Sequence, residues 1–193
     1  MKVHTWNTRG FNDPIKQKEV VRRIRDLGVS MVCLVETRIK NSKMQSVLDR
    51  WFQGWEMLHN YAYAVNGRVW ILWRDMDRVE LVGASDQYIT VKAVIASKLF
   101  YFTGVYASNF GDVRKRLWDS LLELKGVIGE SPWLLAGDFN VTAQLNESSG
   151  HEVTRVTNDM LDFQQCLQDT GLFDHSYSGC FFTWGCSGSR RVT

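Results

Sequence analysis

Little in this chain marks it as disordered, membrane-bound or disulfide-built. Only two prolines occur, Pro14 and Pro132, which argues against a disordered linker. No apolar run reaches the length of a transmembrane helix. The start, Met1-Lys2-Val3-His4-Thr5-Trp6-Asn7, lacks the apolar core of a signal peptide. The expectation is a soluble, intracellular protein with no membrane partner. No basic run is strong enough to read as a nuclear signal. The formal net charge is only +2, too small for a dedicated electrostatic DNA binder, so any nucleic-acid contact must rest on a local patch and a metal. The four cysteines, Cys33, Cys166, Cys180 and Cys186, contain no CxxC pair, which excludes the usual zinc spacing. Cys33 lies in an apolar run and reads as core, and free thiols are the expected state.

What is present is an ordinary globular balance: 193 residues, 45% hydrophobic and 23% charged, enough for one domain with a sizeable core. Strand patterns alternate with helical ones. Val3 to Thr8 reads as a strand. Asp13-Pro14 reads as an N-cap followed by proline in the first turn, leading into a helix from Ile15 to Leu27 that Gly28 ends. Met31 to Val35 is uniformly apolar, the mark of a strand covered on both faces. A helix is expected from Ser42 to Phe52. Strand-like stretches follow at Trp55 to Val65 and Val69 to Arg74, with Asn66-Gly67 as a hairpin turn between them. Further strands are expected at Val79 to Gly83, Gln87 to Ile95, Phe100 to Tyr106, Trp133 to Ala136 and Phe181 to Trp184. Helices are expected at Val113 to Ile128 and Asn158 to Asp169. This mixture suggests an α/β or α+β domain of two sheets packed face to face with helices outside.

The informative feature is a recurrence. Apolar strands end repeatedly in polar residues: Asn7, Glu36, Tyr106, and Asp138 with Asn140. In layered sheet proteins such ends cluster at one edge and sites form there. A carboxylate emerging from a buried strand, as Glu36 does, is costly unless paired, and a cation would offset that cost. Oxygen donors from Asp, Glu and Asn suit Mg²⁺ or Mn²⁺ rather than zinc. Each residue also has a purely structural use. Asn7 can cap the turn at Arg9-Gly10. Glu36 can pair with Arg38 or another arginine. Asp138 and Asn140 can form an Asx-turn. Tyr106 can sit at the core edge.

Taken in order, Trp6-Asn7-Thr8-Arg9-Gly10, Glu36-Thr37-Arg38, Val105-Tyr106, Gly137-Asp138-Phe139-Asn140 and Phe182-Thr183-Trp184 resemble the endonuclease/exonuclease/phosphatase superfamily. The resemblance is strongest to the endonuclease domains of plant LINE-type, non-LTR retrotransposons. Asn66 to Trp73, Leu117-Trp118-Asp119 and Ser131-Pro132-Trp133 add to it. It implies a four-layered sandwich of two mixed β-sheets flanked by helices, and Mg²⁺-dependent nicking of DNA. It further implies that Glu36 and Asn7 hold the metal and that Asp138 orients or deprotonates the attacking water. Asn140 and Tyr106 would bond the phosphate, while Arg9, Thr183 and Trp184 would line the DNA. A reverse transcriptase domain in the parent protein follows from the same ancestry, which leaves the location as nucleus or cytoplasm and favours the nucleus. The superfamily pattern continues into an Asp-containing strand and a Ser-Asp-His strand, which this sequence does not reach. His4, His59, His151 and His175 stand in the wrong order to replace that His. The expectation is therefore a domain lacking its last strands, inactive or weak. Two other readings remain open: a phosphatase or phosphodiesterase with a non-DNA substrate, and a non-catalytic nucleic-acid-binding remnant.

Overall fold

The computed structural model describes residues 2–147, 155–176 and 178. The chain divides into two compact units, Met1–Asn109 with Gly126–Asn140, and Phe110–Lys125 with Val141–Thr193.

The first unit is built on alternation. Strand β2, Met31–Val35, is buried at every position. Its even-numbered residues Val32 and Leu34 join the side chains of helix α1, Pro14–Leu27, and helix α2, Asn41–Trp51, in one core that centres on Phe11, Phe52 and Trp70. Its odd-numbered residues Met31, Cys33 and Val35 enter a second core together with residues of another sheet. A uniformly apolar strand is what such two-sided burial requires. Cys33 is wholly enclosed there, and burial pushes its thiol far up from the usual range.

The first sheet has the order β1-β2-β4-β3, with β1 at Val3–Asn7, β3 at Glu56–His59 and β4 at Val69–Trp73. Strand β1 runs parallel to β2, whereas β4 is antiparallel to both β2 and β3. The second sheet has the order β5-β6-β7-β8: Arg78–Ala84, Tyr88–Ile95, Lys98–Tyr106 and Trp133–Asp138. Its first three strands form an antiparallel meander, and β8 joins β7 in parallel. Both sheets are thus mixed. They pack face to face through Cys33, Val35, Val69 and Ile71 on one side and Ile89, Val91, Ala93 and Phe102 on the other. Gly104 permits the close approach, because a Cβ there would collide with the Cys33 thiol.

Local chemistry sets the helix ends. The Asp13 carboxylate accepts a hydrogen bond from Ile15 N at 2.7 Å, and Gly28 closes α1 in the left-handed region. Gln17 lies on the buried face of α1. Its amide donates to Phe11 O and accepts from Trp51 Nε1, which ties α1 to the end of α2.

The segment around Asn66-Gly67 departs from expectation. It is not a two-residue hairpin. Strand β3 stops at His59, and a loop of residues 60–68 intervenes before β4. Fully buried Asn60 organises that loop: its side-chain oxygen accepts from Val69 N and its amide donates to Ser85 O, each at 3.0 Å. A buried side chain that satisfies two backbone groups outweighs a local turn preference. Asn60→Ala would strand a buried N–H and a carbonyl. It should cost about 2–4 kcal/mol and lower Tm by roughly 5–15 °C, checked by thermal denaturation.

The second unit contains helix α4, Asn158–Thr170, and most of helix α3, Gly111–Ile128. Thr157 caps α4 by accepting from Met160 N, and Gly171 ends it. Trp118 stacks on Phe163 with centroids 4.9 Å apart, and buried Arg114 pairs with Asp159 at 2.5 Å. Burial pushes the Cys166 thiol up to about 12. No helix among the described residues is long and apolar enough to cross a membrane. The expected strand at Phe181 to Trp184 lies outside the described residues.

Candidate functional site

Strand register brings the polar residues together. Asn7 ends β1 opposite Val35, so Glu36 leaves β2 one residue further along the same edge. Tyr106 ends β7 directly opposite Asp138, the last residue of β8. Asn7 Nδ2 donates to Asp138 Oδ2 at 2.7 Å, which joins the C-terminal ends of the two sheets. Asp138 Oδ1 accepts from Asn140 N at 3.1 Å, and Asn140 Nδ2 donates to Ala107 O at 2.6 Å. Asn7 Oδ1 accepts from Arg9 N at 3.2 Å. The structural uses anticipated for Asn7, Asp138 and Asn140 therefore coexist with their convergence.

Glu36 is the most enclosed acid of the group, its side chain only 7% exposed. Oε1 accepts from Arg38 Nη2, and Oε2 lies 3.7 Å from Arg9 Nε. Both arginines are largely exposed, at 61% and 59%. Glu36 N donates to Arg68 O, and the Arg68 guanidinium lies 5.9 Å from the centroid of the Tyr106 ring. The Tyr106 phenol is pushed above its ordinary value, first by burial and then by the charges of Glu36 and Asp138, against the pull of Arg68 and Arg38. That balance locates the phenol between two acids and two bases. It also keeps Tyr106 protonated, a hydrogen-bond donor, through the neutral range.

The backbone is unusual at the same place. Arg9, Glu36, Arg38 and Asn140 all have positive φ, between 30° and 57°. Asparagine tolerates this region, but arginine and glutamate are held there at a cost of roughly 1 kcal/mol or more each. Elsewhere among the described residues, positive φ outside glycine is confined to Asp75 and the turn residues Ala96 and Ser97. The outliers thus cluster where the charged side chains converge, as backbone strain does at functional sites.

Arg68 is the residue that sequence patterning overlooked. It is the last loop residue before β4, and the antiparallel register Val35↔Val69 places it beside Glu36. Only the strand pairing reveals it. Thr183 and Trp184 lie outside the described residues.

The donors fit a small, hard cation. Glu36 and Asp138 offer carboxylate oxygens and Asn7 an amide oxygen. Mg²⁺ commonly takes one or two carboxylates and completes its shell with water and substrate oxygens. Among the described residues there is no group of three or more His, Cys, Asp or Glu that could hold a metal ion.

The model of the Endonuclease/Exonuclease/phosphatase family matches residues 4–191. No curated protein sequence matches the chain. Among solved structures, it resembles the 3' phosphatase NExo from Neisseria, determined with a product DNA hairpin, at a TM-score of 0.67 and 17% identity. That match covers 88% of this chain and 71% of the other. An AP endonuclease from Archaeoglobus fulgidus gives 0.65 and 16%, covering 85% and 68%. The endonuclease domain of TRAS1, a telomere-specific non-LTR retrotransposon, gives 0.67 and 12%, covering 86% and 70%. At these identities the likeness is one of fold.

Proposed function

The chain belongs to the endonuclease/exonuclease/phosphatase family, and on that premise we propose that it is a DNA phosphodiesterase of retrotransposon descent that works with Mg²⁺ or Mn²⁺. The observation that carries the reading is the Asn7–Asp138 hydrogen bond. It brings the strand ends of both sheets to one place, with Glu36 beside Asn7 and Tyr106 beside Asp138. The likeness to the TRAS1 endonuclease domain supports the descent, and the DNA-bound Neisseria structure supports the substrate.

In this reading Glu36 and the Asn7 amide oxygen hold the cation. When bound, the cation supplies Lewis acidity toward a phosphoryl oxygen and the leaving group. The Asp138 carboxylate orients the attacking water and takes its proton. The Tyr106 hydroxyl and the Asn140 amide donate to phosphate oxygens as negative charge builds on them. An amide carries two N–H donors, and the bond to Ala107 uses one. Arg9 adds positive charge toward the DNA backbone.

Both Asp138 oxygens accept hydrogen bonds, from Asn7 and from Asn140, which fix the carboxylate at the joined strand ends. The test is conversion of supercoiled plasmid to open circles by purified protein, with Mg²⁺ and with EDTA. Nicking that EDTA removes is expected, falling roughly tenfold or more in Tyr106→Phe through loss of one donor. Turnover of an inositol phosphate or phospholipid without DNA nicking would replace the substrate assignment. Metal-independent DNA binding with no turnover would replace the catalytic one.

A further inference from the structure

The arginine on Glu36 raises a question that the proposed function does not answer. A carboxylate this enclosed needs a positive partner at all times, and Arg38 supplies one. A divalent cation must use the same oxygens. Arg38 is also built to leave. Its side chain is largely exposed, so little packing is lost when it swings away. The backbone beneath it stays put. Buried Thr37, between the two residues, donates from Oγ1 to Gly67 O at 2.5 Å and accepts from Ile39 N. Positive φ at both Glu36 and Arg38 folds the chain so that the second side chain reaches back to the first.

We propose that Arg38 is a displaceable counter-ion: it holds Glu36 in the cation-free protein, and a divalent cation that takes the carboxylate releases the guanidinium to a substrate phosphate. This rests on reading Glu36 as a cation ligand. Exchange of one positive partner for another avoids leaving Glu36 bare at any stage. It also couples the two ligands. The released guanidinium repels the cation that replaced it until phosphate neutralises it, so each ligand strengthens the other, as linkage requires. Arg9, at 3.7 Å on the other oxygen, keeps a weaker hold throughout. Arg38 is thus a positioning residue for the empty site and a phosphate contact for the loaded one.

The test measures Mn²⁺ affinity by electron paramagnetic resonance or calorimetry in the whole chain, with thermal denaturation to confirm folding. Arg38→Met, which keeps the side-chain length but removes the charge, is expected to bind Mn²⁺ about fivefold more tightly than the parent protein, the scale of one exposed ion pair. With Mn²⁺ present, its affinity for a short DNA duplex should fall, and the slope of log affinity against log salt should shrink by about 1. Arg38→Lys should restore most of both properties. Unchanged or weaker Mn²⁺ binding in Arg38→Met, where Glu36→Gln abolishes binding, overturns the displacement and leaves the cation site standing. Mn²⁺ binding that survives Glu36→Gln, or is missing from both the parent and Arg38→Met, overturns the cation reading of Glu36 and the displacement with it.

Discussion

Glu36→Gln is expected to lower Mg²⁺-dependent nicking by about 10²–10³-fold and to remove cation binding, with Tm shifted by only a few degrees. The rate figure is the usual consequence of losing one preorganised electrostatic element at a reacting phosphate. The small effect on stability has a separate reason. The amide keeps the shape of the carboxylate and can still accept a hydrogen bond from Arg38. Both arginine partners are exposed, so each remains hydrated when the charge on residue 36 is gone. Exposed partners contribute little to folding, so loss of function and loss of fold come apart at this position. Asp138→Asn provides the contrast. It should lose nicking by a similar factor while keeping most of the cation affinity, because its proposed work is on the water. Equal loss of cation binding in both variants would place Asp138 in the metal shell instead. Full nicking activity in Glu36→Gln would remove Glu36 from the mechanism.

Much of the molecule was legible from pattern because pattern and burial coincide there. Met31 to Val35 is the clearest instance: five apolar residues in a row are needed only where helices cover one face and a second sheet the other. The caps of α1 and α4 were legible for a related reason, since Asp13, Gly28 and Gly171 answer local backbone demands. The loop before β4 was not legible. Asn66-Gly67 carries a strong local turn preference, but Asn60 holds the segment through bonds to Val69 and Ser85, residues distant in sequence. Local propensity could not anticipate a long-range polar anchor.

The site divides in the same way. Asn7, Glu36, Tyr106, Asp138 and Asn140 stood out as polar residues at the ends of apolar strands. Their convergence depends on two parallel pairings, β1 with β2 and β7 with β8, and on the packing of the two sheets. Arg68 became visible only through register, and the capture of Glu36 by Arg38 through the positive φ values on either side of Thr37. A carboxylate at a strand end reads alike whether it meets an arginine or a metal. The structure adds that the arginine in question is largely exposed, so water can replace its hold on Glu36.

Gly137→Val is expected to be the most damaging single change to the fold, at about 3–5 kcal/mol and a loss of roughly 10–15 °C in Tm. Gly137 lies opposite Val105 in the parallel pairing of β7 and β8, with φ at 153°. A Cβ at this position would strike the Val105 carbonyl oxygen and approach its carbonyl carbon and nitrogen. The obstacle is the backbone of the paired strand β7, not a side chain that can rotate away, so β8 must move as a whole. Asp138 is the next residue and would move with it, which breaks the 2.7 Å bond to Asn7. Nicking should therefore fall at temperatures where the variant is still folded. Gly126→Ala separates this effect from a general intolerance of glycine replacement. Gly126 lies in α3 with open space where its Cβ would be, so alanine there should stabilise the protein by about 0.5–1 kcal/mol and leave nicking unchanged. Paired melting curves and plasmid assays decide the matter. A Gly137→Val protein that melts within 2–3 °C of the parent, a shift worth only about 1 kcal/mol, and nicks at the parental rate would show that the end of β8 does not set the position of Asp138.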